Sequence, residues 1–221
     1  MSMWFIFPIA HRRHFVRIGT LATESGGLQV HTGGMCITMR DQADLFTRPA
    51  VSPEEAAQAL LGLVLCLRLP DGTVLSAKIT ETEAYYDHGA DSAGYGNRRA
   101  PATEPLFQRP GLCCVYAGML LLSCGSAGEN VLIRCGADAA HYYDGPLKLT
   151  AALQIDNSFH GEDILTSDRI RLQTDDGSID ACCRTQRVGL GKTVAEADRV
   201  RGLRFILLGS GQHGSENGTA F

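Results

Sequence analysis

The pattern of apolar and polar residues first predicts a helix followed by a strand pair. Ser52 is a suitable helix N-cap, Pro53 suits the first helical position, and apolar residues then recur at helical spacing. We expect a helix of about ten residues that ends near Gly62. A turn at residues 70–72 then introduces an apolar strand, with the chain around Leu65 as its hairpin partner.

Further along the chain, the pattern predicts a long loop, two buried strands, a short helix and a closing strand. Residues 87–110 have no apolar periodicity, which indicates a long loop. Residues 112–124 and 129–137 are short apolar runs typical of buried strands, and the end of the first run is also compatible with a helix. Residues 145–155 predict a short helix and residues 203–211 a closing strand.

The strand that follows residue 72 ends in an acidic and aromatic stretch, ITETEAYY. Because successive side chains of a strand point to opposite faces, Ile79, Glu81, Glu83 and Tyr85 are expected on one face. The opposite face then carries Thr80, Thr82 and Ala84. Two carboxylates and one aromatic ring would therefore share one side of the sheet.

Composition weakens any general attraction to nucleic acid. The chain of 221 residues is 44% hydrophobic, which suffices for one substantial core, and its formal charge is −4. DNA binding therefore requires a local basic face. Residues 184–204 contain six basic residues against two acidic ones, which indicates either a solvated charged face or contacts to a DNA backbone. The basic residues are Arg184, Arg187, Lys192, Arg199, Arg201 and Arg204.

Cysteine spacing and the N-terminal segment narrow the cellular setting. The eight cysteines form no CxxC or Cys/His ligand pattern, so we expect reduced thiols and no metal site. The apolar opening of ten residues is shorter than the roughly 20 that span a bilayer, so no membrane association is expected. Residues 1–40 carry a basic balance compatible with an organelle transit peptide, and equally with disorder or a mis-assigned start. Without such targeting, we expect the nucleus or cytoplasm.

Seven short motifs follow one another in a fixed order, and together they resemble the alkyladenine (3-methyladenine) DNA glycosylase family. The resemblance extends from about residue 46 to residue 210, and the collinear order makes it specific. The motifs are ALLG at 59–62, ETEAY at 81–85, PGLCCVY at 110–116, VLIR at 131–134, GPLKLTAALQIDNSFHGEDI at 145–164, RVGL at 187–190 and LRF with a later GS at 203–210.

The resemblance implies an α/β fold of mixed α+β type, a single domain in which a curved, mainly antiparallel sheet is flanked by helices. We expect residues 44–210 to form this domain, residues 1–43 an extension that is disordered or serves targeting, and residues 211–221 a disordered tail. The implied function is a monofunctional glycosylase that flips damaged purines out of double-stranded DNA and hydrolyses the N-glycosidic bond. The resemblance also implies that the protein is a monomer and that it needs no cofactor.

The resemblance also assigns roles to individual residues. Glu83 matches the general base of the family, and Arg134 matches the arginine that supports this glutamate and its water. Tyr85 and Tyr116 match aromatic residues that stack on the flipped base. A carboxylate within hydrogen-bond reach of a water takes its proton during attack, which is the chemistry that this reaction requires.

Three departures from the family pattern leave alternatives open. Tyr95 stands where a base-holding histidine is usual, with His88 in the same loop. The loop lacks an arginine and an asparagine, at Ala102 and Thr103. In the hairpin, the wedge tyrosine is replaced by Met119 in an ungapped alignment or by Ala117 in a gapped one, and the selectivity asparagine by Ser126 or Cys124 respectively. Met119 or Leu120 is then the candidate DNA wedge.

Two other functions remain compatible with these residues. The chain is also compatible with a degenerate module that binds damaged DNA without cutting it. A third interpretation is a hydrolase of another glycosidic bond, in which Glu81 and Glu83, about 6 to 7 Å apart along a strand, form the carboxylate pair.

Overall fold

The computed structural model leaves the two ends of the chain undescribed. The predicted extension 1–43, the predicted tail 211–221 and His88 all lie outside the described residues. The described residues are Phe46 and the ranges 51–87, 89–95, 98–175 and 182–208.

The first predicted helix is present as α1, Pro53–Leu60. Ser52 and Glu55 form a capping box, in which the Ser52 hydroxyl accepts from the Glu55 N–H at 3.2 Å and the Glu55 carboxylate accepts from the Ser52 N–H at 3.0 Å. The chain leaves the helix through Gly62, whose φ of 79° suits glycine. Two further helices are α2, Pro146–Ala152, and the single turn α3, Glu196–Arg199.

A sheet of nine described strands forms the centre of the molecule, and every strand pair in it is antiparallel. The strands are β1 Val64–Arg68, β2 Val74–Tyr85, β3 Cys113–Tyr116, β4 Met119–Ser123, β5 Asn130–Ala137, β6 Tyr142–Tyr143, β7 Ile170–Gln173, β8 Cys182–Thr185 and β9 Arg204–Leu207. The main path through the sheet runs β3-β4-β5-β2-β1-β7, while β6 pairs with β5 and β9 pairs with β2 and β8. The sheet is curled, so the predicted mixed fold with a curved antiparallel sheet and few helices is confirmed.

The long strand β2 is paired along both of its sides. On one side β1 covers its first half, and β9 covers residues 81–83. On the other side β5 runs from Lys78 to Tyr85. The acidic end of β2 is therefore held in the middle of the sheet by strands from distant parts of the sequence.

Two bulges interrupt the β2–β5 ladder. Thr80 is an extra residue, because Ile79 and Glu81 face consecutive residues of β5. Arg134 is an extra residue of β5, because the neighbours Glu81 and Thr82 face positions two apart. Bulges re-aim side chains and increase local twist. Ile79 consequently packs into the main core, and the prediction that it shares a face with Glu81 is wrong.

The two faces of the sheet carry two separate apolar clusters. The larger one lies under α1 and α2 and includes Ala56, Leu60 and Leu149. The smaller one lies on the opposite face, where Leu106, in a single 3-10 turn at Glu104–Phe107 within the predicted loop, packs in the same cluster as Tyr85. The helices α1 and α2 therefore protect one side of β2, while loop segments and this 3-10 turn border the side on which the acidic and aromatic residues lie.

Strands β3 and β4 form a hairpin with a two-residue turn at Ala117 and Gly118, both of which have positive φ. The helical alternative for the end of this apolar run is therefore wrong, because the turn reverses the chain and both arms pair in the sheet. Leu120 is fully buried in the main core, which removes it as a wedge candidate.

Candidate active site

Glu83 lies in the centre of the loop-covered face and is completely buried. Its Oε2 accepts a hydrogen bond from the Tyr85 hydroxyl at 2.7 Å, and its Oε1 accepts one from the Val188 N–H at 2.9 Å. Arg134 Nε stands 3.8 Å from Oε1. The carboxylate is thus fixed at both oxygens, with one cation at the edge of its reach.

Burial changes the acidity of Glu83 and Tyr85. The loss of hydration raises the pKa of the Glu83 carboxyl, although the hydrogen bonds from Val188 and Tyr85 and the charge of Arg134 act in the opposite direction. Burial and the adjacent Glu83 also raise the pKa of Tyr85 far above its ordinary value, so its hydroxyl remains a donor. A buried carboxyl with a raised pKa that accepts a hydrogen bond from a tyrosine hydroxyl has the chemistry of a candidate general base.

Glu81 is paired with two arginines. Arg204 donates to both of its carboxylate oxygens, at 2.6 and 2.9 Å, and Arg134 Nε forms an ion pair with its Oε1. Cys135 Sγ is 3.5 Å from Oε2. Glu81 is therefore a structural acid that anchors Arg134 beside Glu83, and both of its carboxylate oxygens are already engaged by arginine side chains.

Three tyrosines converge next to this carboxylate. The ring centroids of Tyr85 and Tyr95 are 6.4 Å apart, and those of Tyr95 and Tyr116 are 5.2 Å apart in an edge-to-face contact. Arg98 lies over the Tyr95 ring, with its Cζ 5.1 Å from the centroid. The structure thus brings together all three tyrosines that the sequence singled out.

The wedge candidate Met119 lies beside the turn of the β3–β4 hairpin, directly across from Tyr116. Its side chain is half-buried and packs against the smaller apolar cluster. The exposed tip beyond it consists of Ala117 and Gly118. Leu147 of α2 lies close to the tip, since a Cβ added to Gly118 would be 3.1 Å from its Cδ2, and Leu147 is 57% exposed.

The two candidate selectivity positions lie away from the tyrosines. Cys124 is buried in the main core, and Ser126 is exposed in the turn between β4 and β5. Neither belongs to the smaller apolar cluster that contains Tyr85 and Tyr116.

Sequence patterns missed the residues that hold Glu83 from behind. Arg187 is buried and forms a two-bond ion pair with Asp91, and its neighbour Val188 supplies the N–H on Glu83. Arg187 and Val188 belong to the RVGL motif, and this motif was the sequence signal that pointed to them. Most basic residues of 184–204 are paired with acids, because Arg184, Arg187 and Arg204 pair with acids outside this segment, and Arg199 and Arg201 pair with its own two acids.

Within the described ranges, no group of three or more His, Cys, Asp or Glu residues is arranged to hold a metal ion. In the same part of the chain, none of the helices has both the length and the apolar character needed to cross a membrane.

Comparison with known proteins shows to which family this chain belongs. The family model of methylpurine-DNA glycosylase matches residues 46–211. The chain belongs to this family. The matched range includes Glu83, the three tyrosines and the RVGL motif, so the predicted family resemblance is confirmed.

Individual relatives of the methylpurine-DNA glycosylase family show the same similarity. The DNA-3-methyladenine glycosylase of Mus musculus is 32% identical over 200 residues, which cover 76% of this chain and 59% of the relative. That of Homo sapiens is 32% identical over 199 residues, which cover 76% of this chain and 65% of the relative. The chain thus spans about three fifths of the length of these two relatives.

Proposed function

We propose that the protein is a monofunctional DNA glycosylase that hydrolyses the N-glycosidic bond of alkylated or deaminated purines in double-stranded DNA. The observation that carries this proposal is the wholly buried Glu83 carboxylate, hydrogen-bonded to Tyr85, whose ring is the first of three neighbouring tyrosine rings. Family membership supports the reaction class.

In this proposal Glu83 is the general base. Water is a poor nucleophile, and a carboxylate with a raised pKa accepts its proton as the sugar C1′ is attacked. The hydrogen bonds from Tyr85 and Val188 leave further lone pairs on both carboxylate oxygens for a water. Arg134, held by Glu81, stabilises the charged form of Glu83 at a distance.

The tyrosines are the proposed base-binding surface. Stacking on one aromatic ring contributes about 1 to 3 kcal/mol per base, and a cationic methylated purine gains more from electron-rich faces. Burial raises the pKa of Tyr95 to about 12, so this residue binds as a neutral ring at neutral pH, where the usual histidine is able to titrate. Met119, beside Tyr116 at the hairpin, is the proposed wedge that fills the space left by the flipped base.

A degenerate module that binds damaged DNA without cutting it is the competing function. It is favoured by the two protein donors that already occupy Glu83, and by the Tyr95–Tyr116 contact, which must open to admit a base. Single-turnover release of free base separates the two functions. We expect excision of at least one of 3-methyladenine, hypoxanthine and ethenoadenine from duplex DNA, leaving an intact abasic strand. Tight lesion binding without base release would instead establish the binding module.

Excision should also depend on pH in a direction set by Glu83. Its pKa lies above the ordinary value of 4.5, and the base must be deprotonated, so excision of a neutral lesion such as hypoxanthine rises with pH through this raised pKa. The stability contribution has the opposite sign. The native state holds a proton that the unfolded chain releases, so the contribution is complete below 4.5 and is lost as pH rises through the folded pKa. Rate profiles and thermal unfolding across pH measure both trends, and an acid limb at or below 4.5 would contradict the assignment.

A further inference from the structure

A buried ion pair lies directly behind the proposed general base and has no part in the chemistry described so far. The side chains of Arg187 and Asp91 are both completely buried. Arg187 Nη1 donates to Asp91 Oδ2 at 2.6 Å, and Nη2 donates to Oδ1 at 2.9 Å. Burial opposes the charge of Arg187, but the hydrogen bonds and charge of Asp91 outweigh it, and the pKa of Arg187 is raised. This two-bond geometry fixes the plane of the guanidinium group.

The same guanidinium group contacts two neighbouring residues of β2, Ala84 and Tyr85. Nη1 donates to the Ala84 carbonyl at 3.0 Å, and Cζ lies 4.6 Å from the centroid of the Tyr85 ring. Ala84 is the residue between Glu83 and Tyr85. Arg187 therefore fixes the backbone between the proposed base and the proposed stacking ring, and it supports one face of that ring.

The backbone next to Arg187 reaches Glu83 itself. Val188 directly follows Arg187 and donates its N–H to Glu83 Oε1 at 2.9 Å. Because the Arg187 side chain is anchored on β2 and Asp91, the position of this N–H follows from the ion pair. This hydrogen bond is the strongest of the contacts that counter the effect of burial on the pKa of Glu83.

The Asp91 end of the pair holds the loop that carries Tyr95. Asp91 also accepts from the N–H groups of Tyr86, at 3.3 Å, and Ala93, at 3.1 Å. The neighbouring Ser92 donates its N–H and its hydroxyl to Asp198 Oδ2, at 2.9 and 2.7 Å. The loop that carries Asp91, Ser92 and Tyr95 is thus joined to the segment that carries Arg187 and Asp198 around one ion pair.

We propose that Arg187 and Asp91 form a positioning pair, which holds the Tyr85 ring, the Tyr95 loop and the Val188 N–H in register with the Glu83 carboxylate. Its effect on excision rests on the proposed glycosylase function, whereas its effect on Glu83 is measurable without catalysis. Replacement of a buried ion pair by apolar side chains of similar size is often neutral for stability, so a merely structural pair would be replaceable. The titratable and charged groups around Glu83 are Tyr85, Glu81, Arg134, Arg187 and Arg204.

The test compares Arg187→Met with the double variant Asp91→Leu/Arg187→Met, which leaves no buried charge unpaired. The titration of Glu83 is followed by the carboxyl ¹³C signal of labelled protein, assigned with Glu83→Gln, and single-turnover excision is measured over the same pH range. We expect both variants to move the Glu83 midpoint to higher pH, because the Val188 N–H is displaced. Excision at neutral pH should fall by about 10- to 100-fold, as for other small misplacements of reacting groups, and recover in part as the pH is raised.

Arg169→Met is the matched control, because Arg169 likewise forms a two-bond ion pair with a carboxylate, that of Glu162, and neither residue belongs to the RVGL motif or to β2. Its Glu83 midpoint should equal that of the wild type. A folded double variant with an unchanged Glu83 midpoint and unchanged excision would overturn the positioning role. If the wild type releases no base, the glycosylase proposal is refuted. A Glu83 midpoint that is shifted in the two variants relative to the wild type would still support the positioning pair.

Discussion

The Glu83→Gln variant should retain the fold and the affinity for lesion DNA, and it should lose about 10²- to 10⁴-fold in single-turnover excision of hypoxanthine. The glutamine amide has the shape of the carboxylate and keeps an acceptor for the Val188 N–H, while the Tyr85 hydroxyl is able to accept from the new amide group. The variant lacks only the ability to take a proton from water. The rate ratio of variant to wild type under single-turnover conditions measures this loss.

The loss in Glu83→Gln should depend on the lesion. A cationic methylated purine leaves without protonation, so its excision depends less on activation of the water than excision of a neutral base. Glu196→Gln is the matched control, since Glu196 is 78% exposed in α3 and outside the tyrosine cluster. Equal excision by Glu83→Gln and the wild type on every lesion would remove Glu83 from the role of general base.

The Glu81→Gln variant should lose about 3 kcal/mol of unfolding free energy. It leaves two partly buried guanidinium groups, of Arg134 and Arg204, without their carboxylate. Breaking a buried ion pair by removing one partner costs about 3 to 5 kcal/mol, and the lower end applies because these side chains are 20% and 22% exposed. Denaturant unfolding of both proteins measures the difference.

A more exposed pair provides the comparison for Glu81→Gln. Glu162→Gln removes the partner of Arg169, which is 46% exposed, and should cost less than about 1 kcal/mol. The Glu81 variant should also lower the pKa of Glu83, because the repulsion from Glu81 disappears and Arg134 keeps only Glu83 as a carboxylate partner. The acid limb of excision then moves to lower pH. If Glu81→Gln and Glu162→Gln lowered the unfolding free energy equally, the ion pairs of Glu81 would contribute no more to stability than an exposed pair.

Local chemistry in the sequence was sufficient for most elements of the fold. The capping box at Ser52 predicts α1, and the turn before Val74 predicts the hairpin of β1 and β2. Alternation also placed Glu83 and Tyr85 on one face. It failed at Ile79, because the bulge at Thr80 depends on the pairing with β5, which no local pattern records.

Long-range pairing limited the prediction of the candidate site. The motifs identified Glu83 and the tyrosines, but the contacts that hold them join residues far apart in sequence. Asp91 and Arg187 are separated by 96 positions, and Glu81 and Arg204 by 123. The charge count of residues 184–204 predicted that Arg187 and Arg204 lie on an exposed basic surface. Composition does not show which charges are neutralised by partners in the folded chain.

The pairing of β9 with the acidic end of β2 also sets when the site forms during synthesis. Strand β9, which carries Arg204, leaves the ribosome long after β2 does, because Arg204 follows Glu81 by more than a hundred residues. At about 5 to 20 residues per second, the chain between Glu81 and Arg204 takes roughly 6 to 25 s to synthesise. The edge of β2 at residues 81–83 therefore stays unpaired until the last described strand has docked, and only then is Glu81 held by both of its arginines.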